Sequence, residues 1–298
     1  MRRGEVKTAF FFLAPTLALI LAFIVGPALY TLGLAFFSDR GFVGLANFVE
    51  VLKDRDTLNL ERFPFRSPPW GALIHNAVWV LVHLPLTTGL GILLAVLFAN
   101  VKGAWVSLIR LAIFLGMVTP MIVGGVIIRF LFDAHAGIVP ALARLMHLGP
   151  PLDRTWTAYP ETALLALILG SVWLWTGFSM VLHAAGLSTI DPELYEAAMI
   201  DGANAWQQFR YITLPLLWPV TAVVIALTLL WELKIFDIVY VATQGGPGGA
   251  SLVLALEMYF LAFRDLDPYH AAAVATLLTL VSLFVGVWFA RRTVGESR

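Results

Sequence analysis

Three ionisable residues lie close together inside an apolar block in the last third of the chain. Glu232, Lys234 and Asp237 belong to the run W-E-L-K-I-F-D, which has aliphatic residues on both sides. Placing a charged side chain among apolar residues costs free energy, so each of the three is a candidate functional residue. The carboxylate of Glu232 is suited to accept hydrogen bonds from hydroxyl groups. Lys234 and Asp237 are three positions apart and would neutralise each other on one helix, which leaves a structural and a pore-lining interpretation of that pair open.

Patterns that support enzyme chemistry are missing from the sequence. It has no G-x-x-x-x-G-K-[ST] nucleotide loop, no H-E-x-x-H metal site and no G-x-S-x-G nucleophile. The six histidines show no ligand spacing, and there is no cysteine. The glycine-rich run 245–249 neither follows a strand nor opens a helix with lysine, which indicates a turn. We therefore predict a protein that is not an enzyme, with no catalytic residue and no metal or cofactor bound by this chain.

The composition is that of an integral membrane protein. Of the 298 residues 60% are hydrophobic and 13% are charged, and the mean hydropathy is +0.86. Soluble domains have a smaller share of hydrophobic residues, about half, and a larger share of charged ones. The formal net charge is zero, with no long basic run, which argues against nucleic acid as a partner. We expect the chain to lie in membrane lipid.

Six apolar segments are long enough to span a membrane, for which about 20 residues are needed. We predict one transmembrane domain over residues 1–298, all-α, with six spans near 10–36, 72–99, 108–132, 163–186, 216–241 and 270–290. The first segment is too long for the core of a cleaved signal peptide, so we expect it to be retained. The shorter apolar runs 138–148 and 252–263 indicate interfacial or re-entrant helices in an outer cap.

Basic residues close to the membrane indicate the orientation. An even number of spans places both termini on one side, and the total count of lysine and arginine is nearly balanced between the two sides. The clusters nearest to the membrane are Arg2, Arg3 and Lys7 at one end of the chain, and Arg291 and Arg292 at the other. The positive-inside rule then places both termini, and the loop 188–218, in the cytoplasm.

The polar stretch 188–218 predicts two short helices joined by a bend. Asp191 is a good N-cap followed by proline, and Gly202 interrupts the helix that begins there. Asn204 starts a second helix with Gln207 in the arrangement of a capping box, and we expect the proline at 215 to end it. The small residues and acids around the bend would let a partner approach closely and fix its orientation.

The run E-A-A-M-I-D-G-A (196–203), followed by I-T-L-P (212–215), resembles the EAA motif of ABC importer permease subunits, in particular the maltose-type, binding-protein-dependent carbohydrate uptake family. The resemblance extends over nearly the whole chain, through the segments 42–48, 91–95, 137–139 and 243–247 and through Asn76. Arg129 departs from it, since many relatives have an apolar residue or tryptophan at that position.

This resemblance implies the six-helix type I ABC importer permease fold with a cytoplasmic coupling loop. It implies three kinds of partner: a second permease subunit in a heterodimer, an extracytoplasmic sugar-binding protein, and two ABC ATPase subunits. The ATPase subunits would bind ATP and Mg²⁺, because this chain has no nucleotide-binding loop of its own. The residues that would couple the chain to the ATPase are Glu196, Ala197, Ala198, Asp201, Gly202, Ala203, Leu214 and Pro215.

The resemblance also implies a sugar path between the fourth and fifth spans, and import by alternating access. The substrate-lining positions carried over from the family are Ser171, Leu174, Trp175, Phe178, Thr228, Trp231, Glu232 and Ile235. The aromatic residues among them suit stacking on a di- or oligosaccharide, although plain packing between helices explains them too. Two alternatives stay open: a glycerol-phosphate-type substrate, with Arg129 as an anion contact, and a stand-alone secondary transporter or channel.

Overall fold

The structure, a computed structural model, describes residues 3–295 except 102 and 151. Arg2, one of the basic residues used for the orientation, lies outside the described residues. The helices of the described chain are α1 (Arg3–Ile20), α2 (Gly26–Leu34), α3 (Ala46–Lys53), α4 (Ala72–Asn100), α5 (Ala104–Val118), α6 (Met121–Leu131), α7 (Ile138–Leu145), α8 (Pro160–Leu187), α9 (Pro192–Ile200), α10 (Ala205–Gln208), α11 (Leu214–Glu232), α12 (Asp237–Ala242), α13 (Leu254–Phe263) and α14 (Pro268–Gly295). Two short strands, β1 (Phe37–Ser38) and β2 (Gly41–Phe42), form an antiparallel hairpin.

Five helical segments of the described chain are long and apolar enough to cross a membrane, and a bent pair makes a sixth. Four of the five correspond to the predicted first, second, fourth and sixth spans: Phe11–Leu34, Ala72–Ala99, Pro160–Leu187 and Pro268–Phe289. The first is continuous through a π turn, Leu21–Val25, between α1 and α2. The chain is therefore a multi-pass membrane protein.

The third span is not the single helix that we predicted for 108–132. The helices α5 and α6 meet at an angle of 117°. Pro120 lies between them and Thr119 has an extended backbone, with φ −71° and ψ 125°. A proline ring disfavours the helical conformation of the residue before it, which explains why the helix breaks there.

The fifth span differs from the prediction at both ends. Its helical segment covers Ala205–Glu232, and after a break at 233–236 the chain continues as α12, so a helix through 241 is wrong. Pro215 does not end the preceding helix either. The π turn Phe209–Thr213, in which the Leu214 N–H donates to the Phe209 carbonyl, places Pro215 in the first turn of α11. The missing N–H of a proline costs little at that position.

The helix α8 is the centre of the bundle. About 67% of its most apolar window is buried, against 28% or less in the other long spans. Glycines let neighbouring helices approach it closely, as in other membrane bundles. A methyl group at Gly177 would lie 2.7 Å from the Ile113 carbonyl of α5, and one at Gly170 would lie 2.7 Å from the Ile128 side chain of α6. The close approach therefore depends on the absence of side chains at these positions.

Loops and short helices at one end of the bundle are tied to the start of α4. His75 Nδ1 donates to the Leu252 carbonyl at 2.7 Å, and Asn76 Oδ1 accepts from the Leu254 N–H at 2.9 Å. Asn47 Nδ2, from α3, donates to the Ala35 and Phe37 carbonyls. The helices α7 and α13 have 8 and 10 residues and are too short to span a membrane, as the sequence predicts.

Candidate functional site

Three aromatic rings from two helices form one cluster in the bundle. Trp175 and Phe178 lie near the middle of α8, and Trp231 lies one residue before the end of α11. The Trp231 ring is 4.6 Å from the Trp175 ring and 5.1 Å from the Phe178 ring. Trp231 remains 40% exposed. Three of the predicted substrate-lining residues are thus brought into direct contact, with an accessible aromatic surface.

A buried carboxyl group lies directly behind this cluster. Glu232 is 1% exposed, and its Oε1 lies 2.6 Å from Nδ1 of His83, which is 0% exposed and belongs to α4. The His83 ring meets the Trp175 ring edge-on, with centroids 6.5 Å apart. Glu232 therefore has a partner on another helix, although the sequence shows no cation one turn away on its own helix.

The other predicted substrate-lining residues are buried and contribute less to this surface. Ser171 donates to the Ile168 carbonyl of its own helix at 2.8 Å, and Thr228 is 2% exposed. Leu174 belongs to the apolar core, where a methyl group at Gly124 would lie 2.7 Å from it. Ile235, in the break after α11, belongs to the same core.

Lys234 and Asp237 do not form the ion pair that the structural interpretation requires. Both side chains are exposed, and within the described chain no ion pair joins them. The physical reason is the break in the fifth span: α11 ends at Glu232, and Asp237 is the first residue of α12. The two side chains therefore do not share one helical face.

His83 is the residue of this site that the sequence analysis missed. In the sequence His83 is one of six histidines, none of which has the spacing of a metal ligand. A signal was available, because an ionisable side chain in the middle of an apolar span is by itself a functional hypothesis. What the sequence cannot supply is its partner, since Glu232 is 149 residues away.

The helix–bend–helix motif forms as predicted. Asp191 Oδ1 accepts from the Glu193 N–H at 3.0 Å at the start of α9. Asn204 and Gln207 form a reciprocal capping box at the start of α10. Gly202, between the two helices, has φ +83°, a conformation that non-glycine residues adopt at a cost.

The surface of this motif is exposed and partly apolar. The helix α9 has no buried residue, and Ile200, Trp206 and Met199 are 87%, 68% and 58% exposed. The hydroxyl of Tyr195 lies 3.0 Å from that of Thr213 and holds α9 against the π turn below α11. The predicted coupling residues Glu196, Ala197, Asp201, Gly202 and Pro215 are exposed, and Ala198, Ala203 and Leu214 are half-buried.

Arg129 lies away from the aromatic cluster. It is exposed at the end of α6, where it lines a polar pocket of about 510 Å³ together with Asp133, Thr243 and Gln244. The Asp133 carboxylate accepts from the N–H groups of Ala136 and His135, which lowers its pKa. This pocket belongs to the loop end of the bundle that carries the run 243–247.

The fold and these sites define a class of protein: a helical, multi-pass membrane protein with an exposed helix–bend–helix between its fourth and fifth spans. The sequence pattern of the family described as "Binding-protein-dependent transport system inner membrane component" matches residues 88–294. The chain belongs to this family, which consists of transport components and not of enzymes.

Several curated proteins are similar over nearly their full length. A probable ABC transporter permease protein of Pyrococcus horikoshii is 54% identical over 98% of this chain and 99% of its own. The lactose transport system permease protein LacF of Rhizobium radiobacter is 31% identical over 98% and 96%. The trehalose/maltose transport system permease protein MalF of Thermococcus litoralis is 31% identical over 94% and 91%.

A solved structure shares the fold. A chain from the crystal structure of a bacterial ABC transporter involved in the import of the acidic polysaccharide alginate superposes with a TM-score of 0.80, over 99% of this chain and 98% of that chain, at 20% identity. Together with the family match, this confirms the predicted all-α permease fold of an ABC importer.

Proposed function

We propose that this chain is the permease subunit of an ABC importer that moves a neutral di- or oligosaccharide into the cytoplasm by alternating access. The observation that carries the proposal is the cluster of Trp175, Phe178 and Trp231 beside the Glu232 carboxyl group. Aromatic rings stack on the apolar faces of sugars, and polar side chains beside the rings orient the sugar through hydrogen bonds with its hydroxyl groups. The names of the lactose and trehalose/maltose relatives support a sugar.

The predicted substrate-lining set remains part of this proposal. The rings of Trp175, Phe178 and Trp231 would stack on the sugar, and the Glu232 carboxylate would accept hydrogen bonds from the hydroxyl groups of the sugar. All four of the remaining positions are buried, three of them on the two helices that carry the rings and one in the break after α11, and they would shape the path behind the rings: Ser171, Leu174, Thr228 and Ile235. Movement of α8 relative to α11 would then change access to the path.

The exposed helix–bend–helix would be the docking surface for an ATPase subunit. Its acids and its small residues surround the apolar side chains of Met199, Ile200 and Trp206, which is the composition of a site that a partner covers. The motif continues directly through the π turn into α11, which ends at Trp231 and Glu232. A movement of the ATPase would therefore reach the substrate cluster along one helical segment.

The remaining partners follow from the same proposal. Two ATPase subunits would hold ATP and Mg²⁺, a second permease subunit would complete a heterodimeric path, and an extracytoplasmic binding protein would deliver the sugar to the loop end of the bundle. This arrangement requires both termini and the loop 188–218 in the cytoplasm, and the loops around α7 and α13 outside.

A glycerol-phosphate-type substrate is the less favoured alternative. The buried group beside the aromatic cluster is an acid, and a carboxylate repels a phosphate. Arg129, the suggested anion contact, lies in the pocket with Asp133 and Gln244 and not at the cluster.

Uptake by the assembled transporter tests the substrate class. The complex, purified with its ATPase and supplied with its binding protein, should accumulate one of the neutral disaccharides lactose, maltose or trehalose in ATP-loaded proteoliposomes, but not glycerol 3-phosphate. Uptake of glycerol 3-phosphate alone would overturn the proposal. Elution of the chain without any ATPase subunit, as an active homo-oligomer, would also overturn it.

A pair of substitutions at Gly202 tests the coupling surface. A Cβ atom at this position meets no atom within 4 Å, so only the backbone φ of +83° opposes a side chain. Gly202→Val should cost roughly 1–2 kcal/mol in this conformation, and should lower uptake several-fold while ATP hydrolysis continues. Gly202→Asn is the matched control, because asparagine tolerates the left-handed region. Normal uptake by the valine variant would contradict the assignment.

A further inference from the structure

Two polar atoms are buried without a hydrogen-bond partner directly behind the aromatic cluster. Within the described chain, His83 Nε2 and Glu232 Oε2 have no partner, while Nδ1 and Oε1 of the same side chains contact each other at 2.6 Å. Buried polar groups are nearly always paired, because an unpaired group loses its hydration without compensation. Two such atoms on contacting side chains therefore point to a partner from outside this chain.

This lack of a partner is specific to His83 among comparable histidines. His183, on α8, is also 0% exposed. Its Nδ1 donates to the Ser179 carbonyl at 2.7 Å, and its Nε2 lies 3.0 Å from Thr221 Oγ1. Both ring nitrogens of His183 are thus satisfied within the bundle, so burial in this fold does not by itself leave a histidine nitrogen unpaired.

The helix α4 holds His83 in place against the end of α11. Asn76, two helical turns before His83 on the same face, has its Nδ2 3.4 Å from both the Glu232 and Leu233 carbonyls. The Trp79 ring lies 6.2 Å from the His83 ring. The contact between His83 and Glu232 is therefore one of several that join the two helices at this level, and the position of the imidazole is well defined.

The neighbouring groups indicate the chemistry of the missing partner. When Nδ1 of a neutral imidazole donates to the carboxylate, Nε2 is an acceptor, and Oε2 is an acceptor as well. A ligand that satisfies both must supply two O–H or N–H donors. The Trp175 and Trp231 rings beside them favour a molecule with apolar C–H faces. Adjacent hydroxyl groups of a neutral sugar ring meet both requirements, whereas a phosphate offers mainly acceptors.

We propose that His83 is a specificity-determining residue of the sugar path, and this inference rests on the proposed function. His83 Nδ1 orients the Glu232 carboxylate. His83 Nε2 and Glu232 Oε2 each accept a hydrogen bond from one hydroxyl group of the substrate. Both atoms are covered in this conformation. They become accessible when α8 and α11 separate and the Trp175 and Trp231 rings move apart during the transport cycle.

The experiment compares His83→Phe with the wild-type chain in the assembled transporter. The probes are lactose, maltose, trehalose and the monodeoxy analogues of whichever disaccharide the wild type imports. The wild type should import at least one analogue poorly, since a missing hydroxyl leaves a polar group of the site unpaired. In His83→Phe the KM for the parent disaccharide should rise about tenfold, and the discrimination against that analogue should largely disappear. His83→Gln, which keeps a hydrogen-bonding group, should recover part of both.

His183→Phe is the matched control. It removes an equally buried imidazole whose partners are all within the chain, so it should lower the amount of assembled complex and leave the KM per complex and the discrimination unchanged. Unchanged KM and discrimination in His83→Phe, with or without loss of assembly, would overturn the inference and leave the proposed function standing. Failure of the wild type to import any of the three disaccharides would instead count against the proposed function.

Discussion

Glu257 is a buried carboxyl group near the loop end of the bundle, outside the membrane-spanning helices. It is 6% exposed, and Thr57 Oγ1 donates to its Oε1. Burial raises the pKa of this carboxyl from 4.5 to about 7, with a further rise from Asp54 and Asp56 that the Thr57 hydrogen bond opposes. The folded protein therefore keeps a proton on Glu257 at pH values at which the unfolded chain has lost it.

Ionisation of Glu257 makes the stability of the protein depend on pH. The folded pKa is above the unfolded one, so ionisation of Glu257 opposes folding, and stability falls as the pH rises from about 4.5 to about 7. The shift of about 2.5 units corresponds to roughly 3 kcal/mol. Glu257→Gln should therefore raise the melting temperature of the purified protein at pH 8 and change it little at pH 5. Glu61→Gln, at an exposed position, is the control, and an equal effect of Glu257→Gln at both pH values would contradict the prediction.

Trp231 is the exposed member of the aromatic cluster and should contribute to substrate binding. Trp231→Ala removes its contacts with Trp175 and Phe178 and the stacking surface, and we expect about a three- to tenfold loss of uptake with assembly preserved. Trp218→Ala is the control, because Trp218 is 53% exposed on the same helix and has no place in the cluster. Equal uptake kinetics of the Trp231 variant and the wild type would remove this residue from the site.

At the scale of elements, the contact between α4 and α8 depends on one glycine. A methyl group at Gly91 would overlap the Ser179 side chain and lie 2.9 Å from the Met180 nitrogen. Such overpacking costs typically 1–3 kcal/mol, so Gly91→Val should lower the yield and melting temperature of the folded protein. Gly89→Val is the matched control on the same helix, since a Cβ there meets nothing within 4 Å. Similar melting temperatures of the two variants would contradict this interpretation of the packing.

The two broken segments form a second feature at this scale. The helix α6, after the bend at Pro120, packs against α12, which follows the break after Glu232: a methyl group at Gly125 would lie 3.2 Å from the Ile238 carbonyl. Discontinuous helices often mark the binding region of transporters, because they place irregular backbone inside the protein. Both breaks lie close to the aromatic cluster in the chain or in space: Gly116, just before the first break, packs against Trp173 and Leu174, and the second break follows Trp231 and Glu232.

At the scale of the whole molecule, the orientation can be tested with single cysteines, because the chain has none of its own. Ile200 is 87% exposed on the helix–bend–helix and Phe65 is 96% exposed in the loop before α4. With cytoplasmic termini, and with the chain expressed without an ATPase subunit so that Ile200 is uncovered, Ile200→Cys should react with a membrane-impermeant maleimide only after cells are opened. Phe65→Cys should react in intact cells. The opposite pattern would invert the proposed orientation and place the coupling surface outside.

Local sequence signals predicted the elements that depend on local physics. Long apolar runs predicted the existence of the spans, and Asp191, Gly202 and Asn204 predicted the caps and the bend of the helix–bend–helix motif. The signals failed where a proline had two possible effects. Pro120 breaks the third span, whereas Pro215 is accommodated by a π turn, and the difference depends on the backbone of the preceding residues.

The amino-acid sequence by itself determined that this is a multi-pass helical permease with a helix–bend–helix between two of its spans, because hydropathy, capping and the E-A-A-M-I-D-G-A run are local properties. Only the tertiary structure decided that Trp231 meets Trp175 and Phe178 and that Glu232 pairs with His83 and not with a neighbour on its own helix. Those contacts join residues on different helices, up to 149 positions apart, so they depend on how the helices pack against one another and not on the local sequence.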